Sequence, residues 1–149
     1  MNRGAAFPGF HRRTLYRDSD VLAVRRGHPV GEGLSEASAF LDARHIAVVG
    51  RGEWADQIDD WLATLGIRRK TALVAPSYLQ ALHIVAETDL VAFVPSRLVS
   101  NLAARLELMA IKPPFDPGID EQFLFYPVTA QRDPGAGWFR SVLTEVSAR

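Results

Sequence analysis

Short apolar runs alternate with helix-like segments along this chain, and no other feature of the sequence constrains its fold as strongly. Apolar and β-branched residues are concentrated at 14–26, 45–49, 70–75, 90–94, 107–111 and 123–129. Helical patterns or helix-start signals occupy most of the intervals, at 35–41, 54–65, 77–86, 95–106 and 133–146. Because short connections between such segments require βαβ crossovers, the pattern predicts an α/β fold with a mostly parallel sheet and helices on both faces.

The most regular helical pattern ends just before Gly66. Large apolar residues recur there at i, i+4, i+7, i+8 and i+11, namely Trp54, Ile58, Trp61, Leu62 and Leu65. This spacing predicts one apolar stripe, and Gly66 follows where a left-handed C-cap belongs. The acidic residues opposite the stripe are predicted to form its solvated face; they are Asp56, Asp59 and Asp60.

The following helix is predicted to begin at Ser77, whose side chain is suited to capping a helix N-terminus. Its apolar residues leave little polar surface: Leu79, Leu82, Ile84, Val85 and Ala86. A helix that is apolar on nearly every side is usually buried, so we expect this one to lie between a sheet and other elements.

Composition excludes several classes of protein. The chain has 149 residues, with 17 Lys and Arg against 17 Asp and Glu, so its formal net charge is zero. That balance lacks the positive field typical of nucleic-acid binders. The absence of cysteine excludes a disulfide framework, thiolate metal centres and a cysteine nucleophile. With no signal-peptide pattern and no membrane-length apolar run, the sequence predicts a cytoplasmic location.

No pattern in the sequence indicates catalysis, a metal or a cofactor. The four histidines, His11, His28, His45 and His83, do not have the spacing of a metal site. The segment from Gly50 to Gly52 is a fragment of a dinucleotide-binding fingerprint without its third glycine. Phosphate-binding loops and nucleophile elbows are also absent from the sequence. We therefore expect a protein that is not an enzyme and needs neither metal nor cofactor.

A small-molecule site is the chemistry that the residues favour most. Three predicted strand-to-helix junctions, at 49–52, 75–78 and 94–97, place backbone N–H groups at strand carboxyl ends. Arg51 adds a cation, Ser77 a hydroxyl and Tyr78 an aromatic wall, which together suit a small carboxylate bearing a ring. The alternative is purely structural: Ser77 caps a helix, Arg51 is solvated and Tyr78 packs.

Several segments in order resemble the effector-binding domain of LysR-type transcriptional regulators. They are Leu15-Tyr-Arg-Asp18, Val24-Arg-Arg-Gly-His-Pro29, Phe40-Leu-Asp-Ala-Arg-His-Ile46, Asp59-Asp-Trp-Leu-Ala-Thr-Leu-Gly-Ile-Arg-Arg69, Pro76-Ser-Tyr-Leu79 and Val85-Ala-Glu-Thr-Asp-Leu-Val-Ala-Phe-Val-Pro95. A terminal strand followed by Asp133-Pro134 and Trp138-Phe139-Arg140 extends the resemblance over nearly the whole chain. The segment at 88–95 looks most like the branch that responds to aromatic compounds and nodulation signals.

The resemblance implies a type 2 periplasmic-binding-protein-like fold, in which two α/β lobes hold an inducer between them and close by a hinge motion. It assigns residues 14–94 to the second lobe with its crossing strands, and residues 95–149 to an incomplete first lobe. Ligand contacts are expected from Pro76, Ser77 and Tyr78 and, on a facing loop, from Arg51 and Gly52. The implied hinge residues are Asp20, Val94 and Pro95.

The sequence departs from the family in one respect, since it begins where the second half of such a regulator would begin. A winged helix-turn-helix is not found in it, so DNA contact is expected only through such a domain outside this chain. We therefore expect part of an effector-sensing domain that forms homo-oligomers. The alternative is an interaction module that pairs with a full-length regulator. An enzyme on this scaffold would rest on fold analogy alone.

Overall fold

The structure is a computed structural model that describes residues 7–148, and it divides the chain into two compact units. The larger unit is Ser19–Gly118, and the smaller unit holds the described residues up to Asp18 and from Ile119 onward. The assignment of residues 14–94 and 95–149 to two lobes stays a prediction. The larger unit continues to Gly118, and residues 96–111 add a helix and a further sheet strand to it.

The regular elements follow the predicted alternation. In chain order they are β1 (Phe10–Asp18), β2 (Asp20–Arg25), a 3-10 helix (Gly31–Ser35), α1 (Ala37–Asp42), β3 (Arg44–Val48), α2 (Gln57–Thr64), β4 (Lys70–Ala75), α3 (Tyr78–Ala86), β5 (Val91–Pro95), α4 (Ser96–Leu106), β6 (Leu108–Ile111), β7 (Asp120–Pro127), a second 3-10 helix (Val128–Ala130) and α5 (Pro134–Ser147). The strand expected over 14–26 is thus two strands interrupted at Ser19. They are separate because β1 pairs with β7 and β2 pairs with β5 and β6.

The larger unit is built on a five-stranded sheet in the order β4-β3-β5-β2-β6. Strand β3 is parallel to both β4 and β5, whereas β2 is antiparallel to both β5 and β6. Four strands therefore run in one direction, and only β2, which lies between β5 and β6, opposes them. This confirms the α/β class and the mostly parallel sheet that the sequence predicted.

Apolar side chains pack on both faces of this sheet. Ala23 of β2 faces the helices α3 and α4, in a cluster with Ile46, Val48, Ala75, Ala81, Leu82, Val85, Ala92, Val94, Val99 and Leu108. Leu22 and Val24 face the opposite side, in a cluster with Leu34, Phe40, Ile58, Leu62, Val91, Phe93 and Ile111. The alternation along β2 follows from the two-residue period of a strand. Helices on both faces are therefore confirmed.

The helix ends show which local signals were reliable. Gly66 has a φ of 71° and, with Ile67, closes α2 through bonds of 3.0 Å to the carbonyls of Ala63 and Leu62, which is a Schellman cap. The start of α2 was predicted too early, because the helix begins at Gln57 and Trp54 lies outside it, fully exposed. Ser77 caps α3 as expected. However, α3 is not buried on all sides, since Leu79 is 51% exposed.

The smaller unit consists of an antiparallel pair, β1 and β7, together with α5 and the second 3-10 helix. The α5 helix begins as the sequence predicted, with the Asp133 carboxylate accepting from the Gly135 N–H at 3.0 Å and with Pro134 in the first turn. Aromatic contacts join the strands, such as His11 with Tyr126. None of the described residues in this unit is buried.

Candidate functional site

Three loops that the sequence singled out lie at one edge of the five-stranded sheet, which we call the loop edge. Because β3, β4 and β5 run in the same direction as neighbours, their carboxyl ends all lie there. Val48 is opposite Ala75, and the Val49 N–H donates to the Ala75 carbonyl at 3.0 Å. The loop that carries Arg51 and Gly52 is therefore adjacent to the loop that carries Pro76 and Ser77.

Three helices also begin at the loop edge. The Asp56 side chain caps α2, the Ser77 hydroxyl accepts the Gln80 N–H at the start of α3 at 3.3 Å, and α4 begins directly after Pro95. A helix N-terminus carries a partial positive charge and unpaired N–H groups. The loop edge is therefore suited to an anionic ligand more than to a cationic one.

The loop after β3 presents Arg51 to solvent. The Glu53 N–H donates to the Gly50 carbonyl at 3.1 Å, which closes a turn. Gly52 lies within it at a φ of 88°, in the left-handed region that favours glycine. Arg51 is exposed and takes part in none of the ion pairs of residues 7–148. Arg51 is thus available to an external anion, and its ligand role stays a prediction.

The predicted ligand residues between β4 and α3 lie next to one another, with Pro76 and Ser77 preceding Tyr78, the first residue of α3. Tyr78 is 41% exposed. The Ser77 oxygen serves as the helix cap, which confirms only the capping part of the structural alternative, and its O–H can still donate to a ligand. The structure therefore brings Arg51 and Gly52 to the same edge as this loop. Their contact with a ligand stays a prediction.

The expected hinge residues meet at the same edge. Asp20 is the register partner of Pro95, and Val21 is the partner of Val94. Asp20 follows directly on the boundary between the two units at 18–19, and its hinge role stays a prediction. Val94 and Pro95 lie within the larger unit, which continues to Gly118, and their hinge role stays a prediction. Pro113, Pro114 and Pro117 mark the end of this unit as a connecting segment.

A buried ionic cluster lies behind the loop that follows β3. Arg69, with no exposed side-chain surface, donates from Nη2 to Asp56 Oδ2 at 2.6 Å and from Nε to Asp59 Oδ1 at 2.6 Å. Burial acts to lower the pKa of Arg69, but its hydrogen bonds and attraction to Asp59 and Asp56 outweigh that and raise the pKa above its ordinary value. The predicted solvated face was therefore wrong at Asp56, which is only 5% exposed.

His45 is a core residue in the same region. Its side chain is fully buried, with Nε2 at 2.8 Å from the Phe40 carbonyl and the ring 4.6 Å from that of Phe40. Burial, reinforced by the positive charge of Arg69, lowers the pKa of His45 from 6.5 to about 4, against the opposing bond to Phe40. The imidazole is therefore neutral near pH 7, and Nε2 carries the proton that is donated to the carbonyl.

A separate apolar groove lies between β4 and α3. Its volume is about 460 Å³, and it is lined by Leu73, Val74, Ala75, Pro76, Gln80, His83 and Ile84. Of the predicted ligand residues only Pro76 borders it. The groove therefore follows the outer strand of the sheet, and most of the loop residues described above lie outside it.

Residues 7–148 hold neither a metal-binding cluster nor a helix that could span a membrane. No group of three or more metal-binding side chains comes together in this range. The helices there are also too short or too polar for any of them to cross a bilayer.

The chain is similar to regulators of one family. Residues 2–148 match the LysR substrate binding domain. The HTH-type transcriptional regulator SyrM of Rhizobium meliloti (strain 1021) is 35% identical over 146 residues, which cover 97% of this chain and 45% of SyrM. The HTH-type transcriptional activator NagR of Ralstonia sp is 29% identical over 138 residues, 93% of this chain and 46% of NagR.

Solved structures agree with these relatives. A probable transcriptional regulator, PA0477, from Pseudomonas aeruginosa superposes with a TM-score of 0.83 at 28% identity, over 97% of this chain and 47% of that one. The regulatory domain of MexT, a transcriptional activator of the same species, superposes with a TM-score of 0.74 at 25% identity, over 93% of this chain and 68% of that one. The predicted type 2 periplasmic-binding-protein-like fold class is thereby confirmed.

The family match extends over nearly the whole chain, whereas the chain spans about half the length of the curated relatives it matches. The matched portion is a substrate-binding, regulatory domain of transcriptional regulators rather than an enzyme. The chain belongs to the LysR substrate-binding domain family, the effector-sensing regulatory domains of LysR-type transcriptional regulators.

Proposed function

We propose that the larger unit senses a small aromatic carboxylate at the loop edge. The observation that carries this proposal is the convergence of three strand ends and three helix N-termini around the exposed Arg51. Such an edge is where open α/β sheets bind ligands. The proposal makes the domain an inducer sensor, with no catalytic step.

Different groups at the loop edge would bind the carboxylate and the aromatic ring of the ligand. A guanidinium can bind both oxygens of a carboxylate in a planar, bidentate arrangement. Backbone N–H groups near the start of α3 add donors to the same anion. Tyr78, partly exposed at that helix start, provides a ring face against which an aromatic ligand can pack.

Replacing Arg51 by methionine is expected to weaken benzoate binding about tenfold, because one charge-assisted hydrogen-bonding group is lost. Isothermal titration calorimetry of the wild-type chain and of Arg51→Met measures this. Arg44→Met is the matched control, since Arg44 is exposed at the opposite end of the same strand, β3. Equal benzoate affinity in Arg51→Met and Arg44→Met would contradict the role of Arg51, and no binding by the wild-type chain would contradict the ligand class.

The wider regulatory role is also part of the proposal. DNA contact in an intact regulator is assigned to a helix-turn-helix domain outside these 149 residues, and the zero net charge of this chain supports that assignment. A cytoplasmic location follows from the same role.

A second candidate function is association, either with another copy or with a full-length regulator. The observation that favours it is the exposed outer strand β4, which ends the sheet and has only Ala75 buried. Leu73 and Val74 are 38% and 59% exposed, and both border the apolar groove. An exposed apolar edge strand is a ready template for pairing with another chain.

Substituting Val74 by lysine is expected to convert any dimer of the wild-type chain to monomer, because a charge at the edge strand opposes pairing. Light scattering coupled to size-exclusion chromatography measures the mass of each species. Val30→Lys serves as the control, since Val30 is 47% exposed in the same unit but lies outside β4. A wild-type chain that remains monomeric and never co-elutes with a full-length LysR-type regulator would rule out this function.

A further inference from the structure

Two carboxylates of the chain itself bind backbone amides at the end of β3. The Asp56 carboxylate accepts the N–H of Val48 at 2.7 Å and that of Ile58 at 2.9 Å. The Glu53 carboxylate accepts the Gly50 N–H at 2.9 Å. Amide groups at the loop edge are therefore bound to anions that the chain itself supplies.

The two carboxylates differ in how firmly they are held. Asp56 is buried and also bound to Arg69, so its displacement would leave a buried cation without its partner. Glu53 is exposed, and the ion pairs among residues 7–148 do not include it. Its single bond to the Gly50 amide is in contact with water, where such bonds contribute little net stability. Glu53 is thus the one that an external anion can replace.

The position held by Glu53 has the features of a carboxylate subsite. It lies against the Gly50 amide, one residue before the exposed Arg51. A Cβ at position 50 would lie 3.0 Å from Glu53 Oε2, a tight contact that a small shift of the Glu53 side chain would relieve. A ligand carboxylate at this amide would bind the residue that directly precedes Arg51, to which the proposed function assigns anion binding.

We propose that Glu53 is an internal competitor for the effector: its carboxylate occupies the Gly50 amide in the free domain, and an anionic ligand must displace it. This inference rests on the proposed function and adds a determinant of specificity. A weakly binding or neutral ligand does not displace Glu53, whereas a carboxylate with further contacts at the loop edge does. Glu53 therefore lowers the affinity of the domain for anions.

The test compares the affinity of benzoate for the wild-type chain and for Glu53→Gln by isothermal titration calorimetry. The variant keeps the side-chain shape but removes the competing charge. Benzoate then no longer has to break an exposed hydrogen bond between a carboxylate and the Gly50 N–H, so we expect it to bind about fivefold more tightly. Benzamide, a neutral ligand of the same shape, is expected to bind the two chains equally. Glu87→Gln is the matched control, because it removes the same charge at the end of α3 remote from the loop edge.

The outcomes separate the two proposals. Benzoate binding that is equal or weaker in Glu53→Gln than in the wild-type chain overturns competition by Glu53 and leaves the proposed function intact. A matching gain for benzamide, or for Glu87→Gln, also overturns it, because the gain would then come from loop opening or from overall charge. If neither chain binds benzoate, both the competition and the proposed ligand class are overturned.

Discussion

Replacing Arg69 by methionine is expected to lower the free energy of unfolding by about 3–5 kcal/mol, the cost typical of breaking a buried ion pair from one side. The Arg69 side chain has no exposed surface and binds two carboxylates. Its loss leaves the buried Asp56 carboxylate with only the N–H groups of Val48 and Ile58 as partners. An uncompensated buried charge is the source of the large effect.

Urea unfolding followed by circular dichroism measures this difference between Arg69→Met and the wild-type chain. The neighbouring Lys70 supplies the control, since its ion pair with Asp42 at 2.9 Å is largely exposed. Such surface pairs contribute about 0–1 kcal/mol, so Lys70→Met should be nearly neutral. If Arg69→Met proves as mild as Lys70→Met, the cluster does not stabilise the larger unit in the way its geometry indicates.

The second large effect is a loss of stability on mild acidification. Burial lowers the pKa of His45 from 6.5 to about 4. Below pH 6.5 the unfolded chain takes up a proton at His45 that the folded chain does not, so stability is complete above pH 6.5 and falls as the pH approaches 4. The shift corresponds to a decrease of about 3 kcal/mol in the free energy of unfolding over that interval.

Comparison of His45→Gln with the wild-type chain isolates this contribution from that of the carboxylates, which titrate in both. The amide group of glutamine does not ionise, so the pH dependence between pH 6.5 and 4 is expected to be shallower in the variant. His83→Gln removes an exposed imidazole and is expected to retain the wild-type slope. Identical slopes for His45→Gln and the wild-type chain would show that His45 does not remain neutral in the fold.

Local patterns in the sequence were sufficient for much of this fold. The alternation of strands and helices depends on side-chain periodicity, which any short segment displays. The caps at Gly66 and Ser77 also follow from local chemistry, because each involves only residues a few positions away. Direction and adjacency of β3, β4 and β5 then bring the predicted loops to one edge, so the location of the candidate site followed from the pattern as well.

Features that depend on distant partners could not be predicted in this way. Asp56 lies in an acidic segment that is typical of a solvated helix face. It is buried where it accepts the Val48 N–H and pairs with Arg69, which comes from beyond the end of α2. The interruption at Ser19 exists because β1 and β2 have partners in different sheets. Likewise, nothing within residues 90–94 reveals that α4 and β6 follow in the same unit. Helical periodicity could not identify Glu53 either, since its bond to Gly50 belongs to a turn.

The position of β2 between β5 and β6 has a consequence for the order in which the chain can fold. This strand is made before β5 and β6, and its residues Leu22, Ala23 and Val24 are completely buried in the finished sheet. Both of its neighbours, β5 and β6, come near the end of the larger unit. During synthesis β2 therefore leaves the ribosome without any of its strand partners, and the sheet can close only by contacts between distant parts of the chain, which form slowly. Until β6 has emerged, this apolar segment is exposed in the newly made chain and can aggregate with other proteins.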